Sequence, residues 1–166
     1  MEYNKLHINS IKSWFIARAI STVIFSAILI GGDYFLTVKL HFLKGSFSTG
    51  VNIAVAVIIF LMLLNTFVYP RLEYKQWRYL ITKDKIEFSE GIYWVKTVVI
   101  PIVRVQHMKI NQGPINRRFN LATLHIFTAG GSFEIPNIEM EKAEEISDFL
   151  KDKIKEKVTE NVEQAY

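Results

Sequence analysis

Residues 45–70 read GSFSTGVNIAVAVIIFLMLLNTFVYP and contain no charged side chain. Between Val51 and Val68 the only strongly polar side chains are Asn52, Asn65 and Thr66. At about 1.5 Å of rise per helical residue the run exceeds the roughly 30 Å of a bilayer's hydrocarbon layer. It reads as a transmembrane helix, and Pro70, by removing a donor, is expected to end it.

Working outward, the preceding segment SWFIARAISTVIFSAILIGGDYFLTVKL, from Ser13, reads as a first span, with Arg18 and Asp33 near its two ends. Arg18 can snorkel to the headgroups, and Trp14 and Tyr34-Phe35 fall where interfacial aromatics are favoured. A cleaved signal peptide is the alternative, but no clean small-x-small site leads into a polar start. The short connection, roughly Lys39 to Gly50, makes the two helices an antiparallel hairpin. Lys5, Lys12 and Arg18 before it and Arg71, Lys75, Arg78, Lys83 and Lys85 after it outnumber Lys39 and Lys44 in the connection. The positive-inside rule then places both termini on the cytoplasmic side of a bacterial cell membrane.

Three intramembrane polar residues are candidates for function: Asp33, Asn52 and Asn65. Asp33 also reads as the outer end of the first span, with Lys39 or Lys44 near enough to compensate. The two asparagines read as interhelical hydrogen bonds, and Ala17, Ser21, Ala27 and Gly31 as small residues for close helix packing.

Beyond Pro70 the pattern turns strand-like. Gln76 to Thr82, Lys85 to Ser89, Ile92 to Ile100, Ile102 to about Asn111, Leu121 to Thr128 and Ser132 to Ile135 read as strands. Ala129-Gly130-Gly131 suits a hairpin with positive φ. Pro136-Asn137 is expected to open a long amphipathic helix, with Ala143, Ile146, Phe149/Leu150, Ile154 and Val158 on one stripe. Its acids lie early and its lysines late, as the helix dipole favours. The expected organisation is a cytoplasmic N-terminal segment (1–12), a transmembrane hairpin (13–70), a cytoplasmic β-rich domain (71–158) and a flexible tail (159–166).

Charge is unevenly spread. Residues 71–118 hold ten Lys/Arg and four acids, whereas residues 119–166 hold five Lys and ten acids. A basic half beside a membrane helix attracts anionic headgroups, at about 1 kcal/mol per basic group near the surface. Nucleic acid is a poor partner, since no binding motif accompanies the charge. With no cysteine there is no disulfide, thiolate site or thiol nucleophile. No nucleophile or zinc motif occurs, and His7, His41, His107 and His125 are scattered, so no catalytic, metal or cofactor site is expected.

The series Arg78-Tyr79, Thr82, Glu90-Gly91, Ile100 to Gln106 (IPIVRVQ), Gln112-Gly113-Pro114, Arg117-Arg118-Phe119, Leu121 to Leu124 and Thr128-Ala129-Gly130 resembles the bacterial pleckstrin-homology-like (PH-like) domain family of membrane proteins. The YdbS-like arrangement, two spans and then one such domain, is the nearest pattern. The resemblance implies an α+β membrane protein: a two-helix hairpin, then a PH-like antiparallel barrel of about seven strands capped by a C-terminal helix. It also implies work beside a larger membrane protein carrying further PH-like domains. Arg78, Lys83 and Lys85 lie around the first strand turn, where phosphoinositide-binding PH domains keep basic residues. Asp84 interrupts that pattern, which leaves general attraction to anionic lipid. Arg117 and Arg118 are expected to touch a protein or lipid partner, and Arg104 and Gln106 to make structural hydrogen bonds. The functional expectation is a non-enzymatic membrane-complex subunit, with self-association as a variant. The other class is an export or envelope-protection subunit with Asp33, Asn52 and Asn65 along an oligomeric path.

Overall fold

Long apolar runs with no water to hydrogen-bond their backbone satisfy it internally, and the helix is the shortest route. In the computed structural model, which describes residues 3–39 and 45–163 (side chains to 156, and Thr159), α1 spans Ser10–Tyr34 and α2 spans Ser46–Gln76. A π-helical turn, Phe35–Lys39, continues α1. Both helices are long and apolar enough to cross a membrane. Lys44 and His41, and the final residues 164–166, lie outside the described residues.

The chain divides into two units, 14–71 and 1–13 with 72–166. In the first, α1 and α2 run antiparallel. Phe15 packs on Phe67 at 5.3 Å between ring centroids, and the Arg18 guanidinium lies 4.3 Å above the Tyr69 ring. The Thr22 and Thr66 hydroxyls are 2.8 Å apart and buried. Thr66 gives its proton to the Met62 carbonyl at 2.9 Å, so Thr22 is the donor between helices. Ala17, Ser21, Ala27 and Gly31 are exposed, so these small residues do not form the helix–helix contact. Pro70 does not end α2: it is buried inside a helix that continues to Gln76. A proline within a helix forfeits one hydrogen bond, a loss that membrane helices tolerate.

The second unit is built from two antiparallel sheets. One has the order β1-β2-β3-β4, from Asn4–Lys5, Arg78–Ile81, Lys85–Glu90 and Lys96–Pro101. The other has the order β5-β6-β7, from Val105–Asn111, Leu121–Thr128 and Gly131–Glu139. Alternation carries Ile86 and Phe88 inward on β3, and Leu124 and Ile126 inward on β6. Phe88 stacks on Trp77 at 6.0 Å and meets Phe133 at 6.0 Å in a tilted pair, which joins the two inner faces. The amphipathic helix α4 (Met140–Glu163) closes the core with Ala143, Ile146 and Leu150, packing on β5, β6 and β7. Each fully buried Leu or Ile contributes about 1.5–3 kcal/mol.

Several local readings change. The polar lead is not merely a lead, because Asn4 and Lys5 pair with Tyr79 and Arg78 and add an edge strand. The span 92–100 is not one strand: residues 91–95 form a loop and β4 begins at Lys96. A 3-10 turn at Ile102–Arg104 precedes β5, and Arg117-Arg118 end a short helix, α3 (Pro114–Arg118), which Pro114 starts. Pro136-Asn137 does not open α4. The pair sits inside β7, where the register with β6 shifts between Ala122 and Leu124, a bulge with Asn137 at φ 51°. The helix also runs on to Glu163, so the lysines fall in its middle and its last turn has no base.

Candidate functional site

The basic residues singled out by sequence do not converge. Lys83 is exposed in the turn between β2 and β3. Arg78 stands at the other end of β2, opposite Lys5 on one side and Ser89 on the other. The three residue steps of β2 from Arg78 to Ile81, at about 3.4 Å each, put roughly 10 Å of strand between Arg78 and the turn that holds Lys83. Lys85 is committed: its Nζ donates to Glu87 Oε2 at 2.7 Å. Glu87 also accepts the Tyr3 hydroxyl at 2.5 Å, which fastens the N-terminal strand. The hydrogen bonds from Lys85 and then Tyr3 hold the Glu87 carboxyl below the usual range, and the same bonds raise Lys85 and Tyr3. Arg117 and Arg118 are exposed at the end of α3, and Arg104 and Gln106 are exposed too.

Asp33 and Asn52 are brought together. A carboxylate only accepts hydrogen bonds, so the Asn52 amide turns its nitrogen toward it and donates at 2.7 Å to Oδ2 and 3.1 Å to Oδ1. Among the described residues Asn52 answers Asp33, and Lys44, the other expected partner, lies outside them. Asn65 is exposed on α2, and the interhelical bond nearby belongs to its neighbour Thr66.

A cleft of about 320 Å³ opens between the two sheets, floored by Phe88 and Phe133 and rimmed by Glu90, Lys96, His125 and Glu134. His125 Nδ1 lies 3.5 Å from Glu134. His107 stacks on Phe127 at 4.3 Å, and His125 pairs with Lys109 across the strands. Among the described residues no group of three His, Cys, Asp or Glu side chains is placed to hold a metal. The cleft offers charge and aromatic surface, which suit binding.

One surface feature escaped the sequence reading. Tyr93, Trp94 and Val95 at the tip of the β3–β4 loop are 85%, 88% and 69% exposed. Their β-prone residue types look like strand, and only Gly91 ahead of them signals the turn.

The comparisons agree with this architecture. The family model for the bacterial PH domain matches residues 15–154, which covers most of the chain. The chain is 39% identical over 88 residues to the UPF0699 transmembrane protein YdbS of Bacillus subtilis (strain 168), a match covering 53% of this chain and 55% of the relative. It is 32% identical over 81 residues to the UPF0699 transmembrane protein YdbT of the same organism, covering 46% of this chain and 16% of that relative. The matched segments thus span about half of one curated relative and a small part of the other. No solved structure matches. The chain belongs to the bacterial PH domain family, as a membrane protein in which two apolar helices precede a two-sheet PH-like unit closed by a C-terminal helix.

Proposed function

We propose that the protein is a non-enzymatic subunit of a membrane complex. Its two helices cross the bacterial cell membrane and leave both termini and the PH-like unit on the cytoplasmic side. There the unit docks with the PH-like domain of a longer membrane protein. The observation that carries this reading is the exposed face of two of the open sheet edges. Among the described strands β1, β4, β5 and β7 are each paired on one side only, and along β4 and β5 the residues Lys96, Thr97, Val99, Gln106, His107 and Lys109 are exposed. An edge strand presents unpaired N–H and C=O groups that accept a further strand. Tethering in one membrane raises the effective concentration of the two surfaces. The match to a relative of which only 16% is covered supports a longer partner built with the same kind of segment.

The export-path alternative is less well supported. Asp33 and Asn52 hold each other, and Asn65 lies thirteen residues further along α2, about 20 Å and some 220° around the helix from Asn52.

Tagged full-length protein purified from native membranes in a mild detergent tests the proposal. A longer membrane protein recovered in fixed stoichiometry is the expected result. Recovery of a lone monomer contradicts it, and recovery of only a second copy replaces the partner with self-association.

A further inference from the structure

We propose that the Tyr93-Trp94-Val95 tip is a wedge that seats in the headgroup layer of the bilayer crossed by α1 and α2. The inference rests on the membrane reading of those helices and on no protein partner. In water this tip is costly: it leaves two aromatic rings and a valine at 85%, 88% and 69% exposure. An exposed apolar cluster of this size marks an interaction site.

The tip is also built. Gly91 sits at φ +113°, and a Cβ there would stand 2.0 Å from the Trp94 carbonyl oxygen, so the turn closes only with glycine. Gln76 Nε2 donates to the Ile92 carbonyl at 3.1 Å, which fastens the base of the loop.

Gln76 is what points to lipid. It is the last residue of α2, six residues beyond Pro70, where the uncharged run ends. Six residues of helix rise about 9 Å, comparable to the depth of one headgroup layer. Tyrosine and tryptophan are the side chains that favour that layer. Exposed Lys75 and Lys96, next in sequence to the loop's anchor and to its tip, match an anionic lipid surface.

The natural chain has no cysteine, so a single one can be introduced cleanly. Full-length V95C carrying a nitroxide is reconstituted in phosphatidylcholine–phosphatidylglycerol vesicles. Its collisions with oxygen and with a water-soluble nickel chelate are compared with those of A129C, in the exposed β6–β7 turn. The expected result is protection from nickel with retained oxygen access at residue 95. That protection is lost when W94E is added, or W94S if circular dichroism shows W94E misfolded. Nickel access equal to that of A129C, or shielding from both reagents as a protein occupant would give, overturns the proposal. Vesicle flotation after carbonate washing scores hairpin insertion separately, so failure of the membrane reading is told apart from failure of the wedge.

Discussion

Asn116 Nδ2 donates to Asn137 Oδ1 at 2.7 Å, and through this bond a short helix is locked to a bulge in β7. The Asn137 carbonyl accepts Ser10 Oγ at 2.9 Å, and Ser13 Oγ donates to Asn116 Oδ1. Residues 10–13, which belong to the PH-like unit, are thereby tied to α3 and β7 by polar groups that are mostly buried. Asn137 suits the place twice, because it tolerates the left-handed backbone and supplies an acceptor.

Replacing Asn137 by alanine removes both features. The expected loss is about 1 kcal/mol, since a part-buried donor on Asn116 is left without its acceptor. Asn137→Gly keeps the backbone freedom and should lose less. Chemical denaturation of the full chain in detergent, following the PH-like unit, checks the order of the two variants.

Gly91→Ala is expected to open the β3–β4 turn, because the methyl group would meet backbone and not a flexible side chain. Gly113→Ala is the matched control, with nothing within 4 Å of its Cβ, and should change stability by no more than about 0.5 kcal/mol. Hydrogen exchange across residues 91–95 reads the difference.

The N-terminal strand should be held over a defined pH window. Glu87 has a lowered pKa, caused first by Lys85 and then by Tyr3, so its contribution is present above the ordinary carboxylate value near about 4.3 and is lost as pH falls through the lower folded value. Tyr3 is raised, chiefly by its bond to Glu87, so its contribution is present below about 10 and is lost as pH rises through the higher folded value. Amide exchange at residues 4–5 followed against pH should show both limits. Glu87→Gln should remove the acid limit.

Within the hairpin, Asn52→Leu leaves the Asp33 carboxylate without its donor and should weaken helix association by about 1–2 kcal/mol. Asp33→Asn keeps an acceptor for Asn52 and should assemble normally. Engineered disulfide cross-linking between α1 and α2 compares the two.

The apolar runs made the helices legible, since no other local structure satisfies so long an uncharged backbone. The β6–β7 hairpin was legible because Ala129-Gly130-Gly131 breaks two alternating strands, and Gly131 does sit at φ +140°. What stayed hidden depends on distant chain. Asn4–Lys5 is too short to show a period and exists as strand only because β2 offers an edge. The Asp33–Asn52 pair joins residues on separate helices, so neither predicts the other. Arg78, Lys83 and Lys85 looked like one basic group by sequence spacing. An extended strand pulls Arg78 away, and Glu87, two residues along, takes Lys85.

The proposed function requires that two membrane-crossing helices hold the PH-like unit at the inner surface. Because the chain is free of cysteine, single cysteines at Ala129 and at Gly45 can be probed in intact cells with a membrane-impermeant thiol reagent. Labelling is expected at residue 45 from outside, and at residue 129 only after the cells are opened. Labelling of residue 129 in intact cells would contradict it.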